Sequence, residues 1–176
     1  MIAAGLMFCR VVIAAVFVLS AGGKALDVPA FQESVEDFRL MPKALARVAA
    51  WFFLVSEIAV VIAMAIGGRA LMAGFVLAAG LLVLFSTALA VALRRKAAIS
   101  CNCFGRDERR ISPYDMARNA LLTACSLAGV WTLTASTQSL SGSELALVIL
   151  MAACFVALVT NLRDVAETLR QPFWAE

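Results

Sequence analysis

Apolar residues fall in five long blocks along the chain, separated by short polar breaks. A helix rising 1.5 Å per residue needs about 20 mostly apolar residues to cross a hydrocarbon layer roughly 30 Å thick. Segments 2–22, 45–66, 70–93, 115–135 and 143–162 each meet that need and are read as spans. Gly67-Gly68-Arg69 makes a tight hairpin between the second and third, and Arg94-Arg95-Lys96 stops the third. Ser112-Pro113 opens the fourth, because proline is tolerated in a first helical turn; 136–142 is the turn before the fifth. The first block has no basic stretch ahead of it and runs to full length, so it reads as a span rather than a cleaved signal peptide.

Two breaks are longer, and both fall on the same side of the five spans, here called the loop face. In 28–42, Ala30, Phe31, Val35, Phe38 and Met41 recur at helical spacing among Gln32, Glu33, Glu36, Asp37 and Arg39. That pattern predicts an interfacial amphipathic helix lying over the bundle as a lid. The other break, 94–113, carries Cys101-Asn102-Cys103-Phe104-Gly105 and is too polar to span. The expected fold is an all-α polytopic membrane protein, a single integral membrane domain over 1–176 with no internal repeats.

Composition agrees. The chain is 63% hydrophobic and 15% charged, against roughly 45–50% and 25% in soluble domains. The absence of histidine excludes His-ligated zinc, haem and di-iron centres and His-based triads. The formal charge of +3 is not arranged as an aromatic-interleaved basic stripe, so no nucleic-acid partner is expected. Thirteen of the 15 basic residues lie on the loop face, Lys24, Arg39, Lys43, Arg47, Arg94, Arg95, Lys96, Arg106, Arg109, Arg110, Arg118, Arg163 and Arg170; Arg69 is opposite and Arg10 within the first span. Taken alone, the positive-inside rule places that face in the cytoplasm.

Cys101 and Cys103 are the strongest chemical signal. A disulfide across one intervening residue strains the usual Cα separation of about 4.4 to 6.8 Å, and strained, accessible disulfides are readily attacked by thiols. The arginines and lysine around the pair favour the thiolate. Three readings stand: a redox pair exchanging thiol and disulfide equivalents, a two-thiolate site for a soft ion such as Cu(I), and two cysteines without a role. Zinc, which takes four ligands, fits poorly. Cys9, Cys125 and Cys154 lie in apolar spans and read as packing, with Cys125 also a conceivable resolving thiol.

A charge within the membrane costs about 2.5–3.5 kcal/mol on insertion scales and is normally paired. Glu57, beside Ser56 in the second span, therefore needs a cation, and Arg10 and Arg118 are its available partners; Asn119 adds a hydrogen-bonding group. Lys24 is read as snorkelling to the interface, with facing the same pocket as the alternative. The group could bind a quinone headgroup or relay protons beneath the cysteine loop, or simply fix helix register as an ion pair.

Ser20-Ala21-Gly22-Gly23-Lys24, Phe38-Arg39-Leu40-Met41-Pro42, Glu57, Cys101-Asn102-Cys103-Phe104-Gly105 and Arg118-Asn119 together resemble the methylamine-utilisation MauE family, within the broader DoxX-like group of small bacterial membrane proteins. The resemblance covers residues 5–135. It implies a DoxX-like four-helix transmembrane bundle, here with a fifth, C-terminal span, in the bacterial inner membrane. It further implies work with a thioredoxin-fold partner in forming disulfides in a client, the small subunit of methylamine dehydrogenase in the family's named case. Cys101 and Cys103 would then be the redox pair, and Lys24, Glu57 and Asn119 family-matching polar positions without an assigned role. Periplasmic disulfide formation requires the loop face outside the cytoplasm, against the count of basic residues. The competing readings are a thiol:disulfide oxidoreductase or its accessory subunit, a soft-metal carrier, and a structural subunit of a larger membrane complex, which would use small-residue faces such as Ala78-Ala79-Gly80.

Overall fold

The computed structural model describes residues 2–38, 42–94, 113–135 and 141–170. Seven helices account for nearly all of these: α1 (Ile2–Leu26), α2 (Val28–Asp37), α3 (Lys43–Ile66), α4 (Arg69–Arg94), α5 (Pro113–Ala135), α6 (Gly142–Thr160) and α7 (Leu162–Arg170). Their ends follow local chemistry. Asp27 caps α2 by accepting from the Ala30 amide at 3.1 Å, which satisfies one of the unpaired first-turn donors. Gly67 and Gly68 adopt φ of 80° and 58°, left-handed values that allow α3 to reverse into α4 within two residues. Glu144 in the first turn of α6 accepts from both the amide and the hydroxyl of Ser141, at 2.9 and 2.8 Å, the reciprocal half of a capping box.

Four helices close a ring: α1 packs on α3, α3 on α4, α4 on α5 and α5 on α1. This is the four-helix bundle the resemblance implies. α6 lies outside the ring against α1, and α2 lies mainly along α3, with Phe31 and Phe38 buried. The core of the ring is apolar where Ile13, Val60, Met64, Phe75 and Leu122 meet.

The surface is inverted relative to a soluble protein. Phe52, Val55, Ile62, Val76, Val83, Leu150 and Trp131 are exposed, whereas Lys24, Glu57, Arg118, Asn119 and Ser126 are buried. Large apolar side chains facing outward around an interior holding the charges is the arrangement a hydrocarbon solvent requires. Among the described residues, α1, α3, α4 and α6 are long and apolar enough to cross a membrane. The chain is an all-α polytopic membrane protein.

Several boundaries differ from those read in the sequence. α1 continues one turn past the expected end at residue 22, and α2 stops at Asp37 rather than at 42. α5, read as a span over 115–135, has 23 residues but falls outside the four apolar helices, because Asp115, Arg118, Asn119 and its threonines lower its hydropathy. The expected fifth span breaks at Asn161, whose side chain donates to the Ala157 carbonyl at 2.9 Å and competes with helix continuation. α7 follows it and was not foreseen. Residues 95–112, with Cys101 and Cys103, lie outside the described residues.

α4 and α5 are in close contact at Gly129, where an added Cβ would sit 2.5 Å from Cε1 of the fully buried Phe75. Gly129→Ala therefore lowers stability by about 1–3 kcal/mol, as overpacking does. Gly80→Ala, with nothing within 4 Å of the new methyl, leaves it unchanged or slightly raised. Unfolding of both variants in detergent micelles checks this, and equal midpoints would refute the close approach.

Candidate functional site

The loop-face half of the ring holds a cavity, walled mostly by apolar side chains but also by five polar or charged ones, to which all four helices contribute. Val16, Phe17, Ser20 and Lys24 come from α1, Phe53 and Glu57 from α3, Leu81, Leu82 and Phe85 from α4, and Arg118, Asn119 and Leu122 from α5. Helical spacing explains the first set, since Ser20 and Lys24 are one turn apart and share a face. The cavity is about 40 Å³, on a scale where about 10–15 Å³ holds one water.

Lys24 and Glu57 form an ion pair in its wall, with Lys24 4% exposed and Glu57 7%. Ser20 knits the pair together: its hydroxyl accepts from Lys24 Nζ at 3.0 Å and donates to Glu57 Oε1 at 3.1 Å. The ammonium also sits 5.1 Å from the centroid of the Phe31 ring on α2, within cation–π range. The extra turn of α1 sets this arrangement. Held in a continuous helix, Lys24 points into the ring and pairs with Glu57 instead of snorkelling to the interface.

Across the cavity, Arg118 lies 3.6 Å from Asp115 one turn earlier on α5. Asn119 is 3% exposed and Ser126, two turns further along the same face, is fully buried. Among the described residues, Glu57 Oε2, Asn119 Nδ2 and Ser126 Oγ have no hydrogen-bond partner. Buried polar atoms are nearly always satisfied, so an acceptor and two further polar groups remain available to a ligand, water or protons.

Arg10 does not belong to this group. It lies towards the other end of α1 and donates to the main-chain carbonyls of Met64 and Ala65 at 2.8 and 3.1 Å. Those carbonyls belong to the last turn of α3, where helical partners run out. Arg10 is thus a side-chain cap on the α3–α4 reversal and not a partner of Glu57. Lys24 and Arg118, counted among the loop-face cations, are buried in the bundle, which leaves the remaining basic residues to set orientation. Cys9 on α1 and Cys125 on α5 pack in the apolar core. No group of three or more metal-ligating His, Cys, Asp or Glu side chains occurs among the described residues.

Ser126, Phe53 and Phe85 were not foreseen, and Ser20 was named only within the Ser20-Ala21-Gly22-Gly23-Lys24 motif. The i, i+4 spacing of Ser20 and Lys24 and the i, i+7 spacing of Asn119 and Ser126 put each pair on one helix face, and that signal is present in the sequence.

A charge-paired cavity inside a ring of helices with apolar side chains facing outward is the architecture of a multi-pass membrane protein. The family model described as "Methylamine utilisation protein MauE" matches residues 2–132. A "Methylamine utilization protein MauE" from Paracoccus denitrificans is 36% identical over 121 residues, covering 68% of this chain and 64% of that protein. The chain belongs to the MauE family and is a multi-pass bacterial membrane protein. The match thus spans a little under two thirds of that relative's length. No solved structure matches it.

The distance of Arg10 from the cavity gives a prediction. Arg10→Leu removes two hydrogen bonds from a charged donor, worth about 1.5–3 kcal/mol each before relaxation, and lowers the unfolding midpoint in micelles. The Lys24–Glu57 end stays intact, so a cysteine introduced at Ser20 keeps its protection from water-soluble maleimide. Loss of that protection in the Arg10 variant would place Arg10 in the same unit as the cavity.

Proposed function

We propose that this chain is a membrane thiol–disulfide exchange protein, or the accessory subunit of one, acting through Cys101 and Cys103 on behalf of a thioredoxin-fold partner and a client protein. One observation carries the reading: α4 and α5, the helices that flank the Cys101-Asn102-Cys103 segment in sequence, both wall the charge-paired cavity. The cavity lies in the half of the bundle at which α4 ends and α5 begins, which supports a link between it and the segment joining those helices. Membership of a family named for methylamine utilisation supports a client of that metabolism.

In the exchange, a client thiolate attacks one sulfur of the Cys101–Cys103 disulfide and forms a mixed disulfide. A second client thiolate then displaces the cysteine, leaving the client with a disulfide and this chain with two thiols. Two electrons and two protons pass from the client to the cysteine pair. The small ring closed by a single intervening residue favours this direction, because a strained disulfide is the more oxidising partner.

Labelling with a membrane-impermeant maleimide in intact cells, before and after reduction, tests the proposal. Mass spectrometry is expected to find label on Cys101 and Cys103 only after reduction and only from outside. Cys101→Ser leaves Cys103 labelled without reduction. Ready labelling of both wild-type thiols in inverted vesicles, with no reductant, would overturn external disulfide exchange.

A further inference from the structure

Beside the polar cavity lies a larger one of about 340 Å³, between α2, α3 and α4, within the roughly 300–1,000 Å³ typical of ligand pockets. Phe31, Phe38, Phe52, Phe53 and Phe85 line it, together with Lys24 as its charged group. Lys24, Phe53 and Phe85 also line the polar cavity, so the two adjoin. Phe52 and Leu84 on its walls are largely exposed, on the surface that faces lipid, so it is reached laterally from the bilayer.

We propose that this second cavity is a binding site for a lipid-soluble quinone. Five phenylalanine rings favour a flat ring that stacks at offset or edge-on geometry. Lys24 supplies the polar contact. An ammonium has three donors; Glu57 and Ser20 take two among the described residues, and the third serves a quinone carbonyl oxygen. The charge balance selects among lipid-soluble ligands. Glu57 already neutralises Lys24, so a fatty-acid carboxylate would set a second anion against Glu57, whereas a neutral carbonyl meets no such penalty. A plain acyl chain would leave the third donor unused.

The role of the bound quinone rests on the thiol-exchange reading. There it is the oxidant that restores the cysteine disulfide: two S–H bonds break, one S–S bond forms, and two electrons and two protons convert the quinone to quinol. Binding itself does not depend on that reading.

The test is photolabelling by an azido-benzoquinone carrying a short isoprenoid tail, on full-length protein in nanodiscs, in both wild type and the Cys101→Ser/Cys103→Ser variant. Label is expected on the peptides containing Phe52-Phe53 and Phe85 to Ala88, equally in both proteins, and is displaced by unlabelled short-chain ubiquinone but not by oleate. Ala88→Phe, which fills the cavity from α4, and Ala49→Phe, which fills it from α3, each reduce labelling at least tenfold while circular dichroism stays helical. Labelling elsewhere, full labelling of a folded cavity-filled variant, or displacement by oleate as effective as by quinone would overturn the site. A positive result in the Cys101→Ser/Cys103→Ser variant with no quinol produced by the reduced wild type would overturn the quinone's role as oxidant of the cysteine pair and leave the quinone site standing.

Discussion

Burial of the Lys24–Glu57 pair is the constraint around which the loop-face half of the bundle is organised. Two opposite charges in a hydrocarbon environment are tolerated far better as a pair than singly. Ser20 bonds both partners from the same helix as Lys24, and the Phe31 ring covers the ammonium from α2. The pair thus fixes the rotation of α1 against α3 and the seat of α2. A continuous α1 through Leu26 follows from the same requirement, since an earlier end would release Lys24 to the interface.

The interior divides by chemistry along its length. At the hairpin end, Arg10 caps α3 and apolar side chains fill the ring around Phe75 and Met64. At the loop-face end, α1, α3, α4 and α5 each direct at least one residue into the polar cavity, and the aromatic cavity beneath α2 adjoins it. Close packing where Gly129 meets Phe75 contrasts with the half of the bundle that holds the cavities. The division follows sequence: Ser20, Lys24, Arg118 and Asn119 sit within two turns of the loop-face ends of α1 and α5, and Glu57 meets Lys24 from the middle of α3.

Most of the fold was legible because a membrane helix must satisfy its own backbone, so hydropathy and length alone located α1, α3, α4 and α6. The amphipathic pattern of Phe31, Val35 and Phe38 located α2. Periodicity is silent on which cation a buried acid meets. Glu57 demanded a partner, for which Arg10 and Arg118 were the candidates while Lys24 read as snorkelling, and only the packing of α1 against α3 selects Lys24. Arg10 was misplaced because carbonyls at the end of α3 leave no mark in the sequence. α5 was harder again, its polar first turns lowering the signal that located the other spans. The cavities arise between helices and have no linear signature. The cysteine pair, the plainest chemical motif in the chain, takes its meaning from sequence and family membership.

A double-mutant cycle between Lys24→Met and Glu57→Leu, read by reversible unfolding in mixed micelles, tests the organising pair directly. Each single variant strands a buried charge and should lose about 3–5 kcal/mol. The double variant, an apolar pair of similar bulk, should recover enough of that loss to give a coupling of about 2 kcal/mol or more. Additivity within about 0.5 kcal/mol would show that the two charges do not depend on one another and would contradict the account.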